Sequence, residues 1–106
     1  MSIRDERIIN IIKEEAAKFL VQESSKQSLL TVTNVSLSQD GKEATVFFTV
    51  FPQDKEKTAL EFAKRKRTEF QEYMRNETRL GRIPFFDFAI DEGEKNRQKI
   101  DLLSQK

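Results

Sequence analysis

Asp40-Gly41 sits between two runs rich in β-branched residues, and that junction constrains the fold more than any other stretch of the chain. An Asp-Gly pair between alternating apolar runs signals a tight hairpin, because glycine readily takes the positive φ such turns need. After it, Glu43 to Phe51 places Ala44, Val46, Phe48 and Val50 on one face and Thr45, Phe47, Thr49 and Phe51 on the other. Before it, Leu29 to Ser38 alternates in two phases: Leu30 and Val32 share one parity, Val35 and Leu37 the other. A bulge near Asn34 restores a single buried face, since one extra residue moves every later side chain across the sheet. The rest of the chain must cover that face.

Helical stripes flank the hairpin. Ser2 with Asp5 reads as an acidic capping box, and Ile8, Ile9, Ile12, Ala16, Phe19 and Leu20 follow at three- and four-residue steps. The polar run from Glu23 to Ser28 ends this helix near Gln22. Pro52 stops the second strand, and a helix resumes at Asp54 or at Thr58, where Thr58 to Glu61 spells a T-x-x-E box. Ala59, Leu60, Phe62 and Ala63 are its apolar positions; Phe70, Tyr73 and Met74 resume a stripe later, Tyr73 reading as core. Between them stand four consecutive cations, Lys64 to Arg67. With about 3.6 residues per turn, four neighbours cannot all face water on a helix that buries one side. Either the helix breaks at Lys66 to Thr68, with Thr68 and Gln71 as a new T-x-x-Q box, or one continuous helix carries a solvated charged turn.

Arg79 to Pro84 is a loop punctuated by glycine and proline. Phe85 to Asp91 is a third strand, with Phe86, Phe88 and Ile90 on one face and Asp87, Ala89 and Asp91 on the other. The charged segment from Glu92 is either a short helix docked through Ile100, Leu102 and Leu103 or a frayed tail. The fold class is α+β, in the order α-β-β-α-α-β, with a three-stranded sheet and helices packed on one face.

Cysteine and histidine are both absent, which removes disulfides, thiolate sites and the commonest general base and metal ligand. No stretch approaches the roughly 18 apolar residues of a membrane helix, and no signal-peptide region opens the chain. A cytoplasmic protein with no membrane partner is the expectation. The net charge of +1 means that any nucleic-acid role must come from uneven placement of charge. Placement is uneven: Lys55 to Arg82 holds nine basic and five acidic residues.

Arg4 to Leu20, Leu29 to Phe51 and Arg79 to Asp91 together resemble the ribosome-binding factor A family, a type II KH-like domain. The matching features are arginines ahead of an Ile/Val-rich first helix, a Val-Thr-x-Val hairpin pattern leading to Ser-x-Asp and then an Ala-x-Val strand, and a stretch from Arg79 to Asp91 that resembles the family's Leu-Arg-x-x-Pro-x-Leu-x-Phe-x-x-Asp close. The family carries Ala-x-Gly at the kink between its second and third helices, where related KH domains clamp a nucleic-acid backbone with a Gly-rich loop. Here that slot falls on Lys66-Arg67-Thr68, and no glycine occurs between Lys42 and Leu80. The T-x-x-Q box lies where the kink is expected, which favours the break.

The resemblance implies residues 1–91 as a KH-like RNA-binding domain and 92–106 as a charged C-terminal tail. It implies a non-enzymatic assembly factor that binds the small ribosomal subunit, preferring the immature form, and its rRNA. The implied role is in maturation of the precursor rRNA and in the cold response, as a monomer without cofactor or metal. The candidate RNA-binding residues are Lys64, Arg65, Lys66, Arg67 and Thr68 at the joint, Arg75, Arg79 and Arg82 beyond it, and Arg4 and Arg7 on the first helix. Two alternatives stand beside this. One is a generic single-stranded RNA-binding KH-like protein. The other is a protein-interaction module that uses the sheet face of Thr45, Phe47, Thr49 and Phe51. The alternating strand phenylalanines read as core rather than base-stacking residues. Asp87 and Asp91, on one strand face, lack the partners that a catalytic or metal site needs.

Overall fold

The computed structural model describes residues 3–23 and 28–104, with the side chains of residues 3, 4, 23 and 99–104 outside that description. The elements are α1 (Ile3–Glu23), β1 (Leu29–Leu37), β2 (Glu43–Phe51), α2 (Glu56–Arg65), α3 (Arg67–Glu77), β3 (Phe85–Ile90) and α4 (Glu92–Ser104). A single 3-10 turn, Gln53–Lys55, leads into α2. The order read from the sequence is therefore the order observed, with α4 following β3.

β2 is the central strand, antiparallel to β1 and parallel to β3. A parallel neighbour requires a crossover of a dozen or more residues, and α2 with α3 supplies it. The hairpin turn closes as its sequence demands, with Gly41 at φ +73°. Asp40 Oδ1 accepts from Ser38 Oγ at 2.7 Å and from the Lys42 amide at 3.0 Å. The Ser38 bond first, then the Lys42 amide, holds the Asp40 carboxyl below its ordinary pKa.

The register of β1 on β2 shifts between Val32 and Asn34, leaving Thr33 as the extra residue. Leu30 and Val35 are thereby both buried despite their opposite parity. The bulge has a second use. The Thr33 hydroxyl donates to Asp91 Oδ2 at 2.5 Å, while Asp91 Oδ1 accepts the Glu94 amide at 3.0 Å. Asp91 thus caps the first turn of α4 instead of ending β3, and an Asp at this position satisfies an amide that the helix cannot.

Phe70 centres the core. Its ring lies 5.1 Å from Phe19, 4.6 Å from Phe86 and 5.6 Å from Phe88, joining α1, α3 and β3. Phe48, Phe70 and Phe88 are fully buried, each contributing about 1.5–3 kcal/mol relative to an exposed ring. Tyr73 is half-buried at the core edge, where its hydroxyl donates to Glu15 Oε2 at 3.0 Å. Phe85, by contrast, is 69% exposed.

Two local expectations are corrected. Thr58 does not open α2, which begins at Glu56 after the 3-10 turn, so the T-x-x-E box is not the start. Thr68 does not cap α3; that position belongs to Lys66, and Thr68 lies inside the first turn. Along the open-face stripe Thr49 is buried and Thr45 and Phe47 are half-buried, while Phe51 is 74% exposed. The Ser2 capping box and the side chains of Ile100, Leu102 and Leu103 lie outside the described residues.

Candidate nucleic-acid interface

The helix breaks within the basic run, at one residue. Lys66 ends α2 and starts α3 with φ −94° and ψ 7°, the bridge region between helix and extended chain. That conformation has negative φ, so any L residue can adopt it. The joint therefore needs no glycine.

Two sets of contacts hold it. The Lys66 amide reaches back to the carbonyls of Phe62 (3.2 Å) and Ala63 (3.1 Å), and the Phe70 amide donates to the Lys66 carbonyl at 2.8 Å. Arg67 Nε donates to the Lys64 carbonyl at 3.0 Å, serving a carbonyl near the end of α2 where the regular ladder stops. A side-chain guanidinium thus serves the C-terminal end of α2, whereas the sequence reading had a threonine hydroxyl capping the N-terminus of α3. Among the described residues no side chain caps the N-terminus of α3. Its first amides and partial positive charge are thus left for an anion, although Glu69 in the same turn offsets part of that charge.

The cations at the joint are arranged, not loose. Lys64 Nζ lies 3.5 Å and Arg67 Nη1 3.4 Å from the same oxygen, Asp87 Oδ1. Lys66 Nζ pairs with Glu69 at 3.2 Å and stands 5.8 Å from the centre of the Phe62 ring, within cation–π range. Arg65 is exposed and forms no ion pair among the described residues. Pairs this exposed are worth only about 0–1 kcal/mol, so they orient the cations without withdrawing them from a competing phosphate.

Asp87 is the residue that sequence reasoning missed. Its parity on β3 placed it on the open face, but nothing in the sequence joined it to cations twenty positions away. Its Oδ1 also accepts the Phe88 amide at 2.9 Å. The Phe85 amide donates to the Lys42 carbonyl just before β2 and the Asp91 amide to Phe48 in β2, so by alternation the Phe88 amide faces the outer edge, and Asp87 satisfies it there.

The other candidates lie elsewhere. Arg75 is exposed in the last turn of α3. Thr78 stops that helix: its hydroxyl donates to the Met74 carbonyl at 2.6 Å and accepts the Leu80 amide at 3.4 Å, so the loop leaves with Arg79 exposed. Pro84 is buried, and Arg82, two residues before it, is exposed. Arg79 and Arg82 meet Arg7 of α1 around one cleft, away from the joint. The side chain of Arg4, on α1, lies outside the described residues. The candidates with described side chains therefore divide between the two ends of α3 rather than forming one continuous patch. Asp87 and Asp91 are both committed to structural partners, which removes the carboxylate pair as a site.

The chain is similar to known proteins over nearly its whole length. The sequence profile of the family described as ribosome-binding factor A matches residues 4–104. A ribosome-binding factor A of Flavobacterium johnsoniae is 31% identical over 104 aligned positions, covering 92% of this chain and 80% of its own. One from Coxiella burnetii is 28% identical over 108 positions, covering 100% of this chain and 91% of its own. The crystal structure of ribosome-binding factor A from Thermus thermophilus superimposes with a TM-score of 0.71 at 24% identity, over 80% of this chain and 93% of that one. That likeness establishes a shared fold.

Proposed function

The chain belongs to the ribosome-binding factor A family and is a ribosome-associated factor, and from that premise we propose that it binds the immature small ribosomal subunit through its rRNA. By binding, and not by catalysis, it assists maturation of the precursor rRNA in the cytoplasm, as a monomer. One observation carries the reading: the helix joint at Lys66 survives without glycine and displays Lys64, Arg65, Lys66 and Arg67 beside the uncapped N-terminus of α3. Phosphate contact accordingly moves from backbone amides in a glycine loop to side-chain cations, with the α3 amides behind them.

The protein-docking alternative finds less support. Thr49 is buried, and the Thr33–Asp91 bond crosses the face that such a partner would use. Co-sedimentation with immature and mature small subunits, with excess single-stranded RNA as competitor, tests the proposal. Retention on immature subunits at salt concentrations that release mature ones supports it. Equal retention on both, or complete displacement by any single strand, contradicts it and returns the protein to a generic RNA binder.

A further inference from the structure

At the other end of α3, Arg7 of α1 and Arg79 and Arg82 of the α3–β3 loop line an open cleft of about 650 Å³. Ile8, Leu37 and Leu80 form part of an apolar wall, and Asp5 and Asp40 also border the cleft. α3 has 11 residues, so this cleft stands about 16 Å along the helix from the joint at Lys66. The electrostatics of the two places differ. At the joint Lys64, Lys66 and Arg67 are each paired with a carboxylate. In the cleft, Arg7, Arg79 and Arg82 are exposed and form no ion pair among the described residues.

We propose that this cleft receives an unpaired nucleotide of single-stranded RNA, its base against Ile8, Leu37 and Leu80 and its phosphates on Arg7, Arg79 and Arg82. The inference rests on the RNA-binding reading above and extends the footprint to both ends of α3. Three properties select a nucleotide over a bare phosphate. The volume falls in the range of small-ligand sites. The apolar wall has no use for an inorganic anion but suits a base, and single-stranded RNA is recognised through bases splayed out of the stack. Asp5 and Asp40 disfavour a free anion, while a nucleotide presents a neutral base on one side and phosphate on the other.

The test uses a short mixed-sequence single-stranded RNA, the same oligomer made abasic, and a duplex of equal length, with binding read by fluorescence anisotropy across a salt series. Wild type is compared with Arg79→Ser/Arg82→Ser, and amide NMR of wild type follows Gly41 and Gly81 at the cleft. The expected result is a preference of wild type for the intact single strand, with both glycine amides shifting. Loss of two phosphate contacts lowers the log–log salt slope of the variant by about 1.4, from 0.7 per contact. Equal binding by the variant, equal binding of the abasic oligomer, or unmoved glycine amides overturns the cleft assignment. Failure to bind the single strand while immature subunits are still retained also overturns the cleft alone. Loss of both overturns the RNA reading itself.

Discussion

Arg67 Nη1 lies 3.4 Å from Asp87 Oδ1, joining the first residue of α3 to the middle of β3. Lys64 Nζ reaches the same oxygen from α2 at 3.5 Å. One carboxylate thus gathers the cations on either side of the break, and Arg67 also bonds the Lys64 carbonyl. The joint is built from charged side chains where the family pattern has small residues. On the RNA-binding proposal, a phosphate would compete with Asp87 for Lys64 and Arg67.

Removing that internal anion should strengthen RNA binding. Asp87→Asn keeps an oxygen for the Phe88 amide but frees Lys64 and Arg67. The expected outcome is tighter binding to immature subunits and a steeper log–log salt slope, by about 0.7 for each added phosphate contact. Because the pairs are half exposed, urea unfolding should change by less than about 1 kcal/mol.

Thr68→Ala should leave stability within about 0.5 kcal/mol of wild type, as for an ordinary surface position. A true capping threonine would cost about 1 kcal/mol. Urea midpoints distinguish the two outcomes, and a large loss would return the cap to Thr68.

Phe70→Ala should cost about 3–5 kcal/mol, since the ring is fully buried and contacts Phe19, Phe86 and Phe88. The measurement is denaturant unfolding with the slope checked for constancy, so that the change reports stability and not a loss of cooperativity.

The Thr33–Asp91 bond predicts an acid dependence. The Thr33 hydroxyl first, and the Glu94 amide second, hold the Asp91 carboxyl below its ordinary pKa. A depressed folded pKa contributes stability that is fully present above the unfolded value of about 3.9 and is lost as pH falls through the folded value. Wild type should therefore lose more stability than Thr33→Val on acidification below about pH 4. Amide exchange in α4 follows the loss where it arises.

Much of this was legible in the chain itself. The Asp-Gly turn, the two-phase alternation and the three- and four-residue apolar steps specify the element order and the bulge, because each depends on local geometry alone. The four adjacent cations left a break and a continuous helix both open, and only the resemblance, which places the family's kink at the same slot, favoured the break. The cap was not legible: Lys66 takes a bridge conformation that leaves no sequence signature, and the T-x-x-Q pattern at Thr68 is satisfied by chance inside a turn. The Asp87 pairs and the meeting of Arg7 with Arg79 and Arg82 depend on tertiary contact between distant segments. Only the parallel placement of β3 beside β2 brings Asp87 under the joint.

The most direct test of the central claim is co-sedimentation of wild type and Arg65→Glu/Arg67→Glu with immature small subunits across a salt series. Arg65 is the joint cation exposed without an ion pair among the described residues, and Arg67 bridges to Asp87. Binding through the joint predicts that the double variant is lost from the subunit fraction at salt where wild type is retained, with a slope lower by about 1.4–1.8 for two phosphate contacts. Equal retention of both proteins throughout the series would contradict it, leaving the basic run as a solvated helix surface.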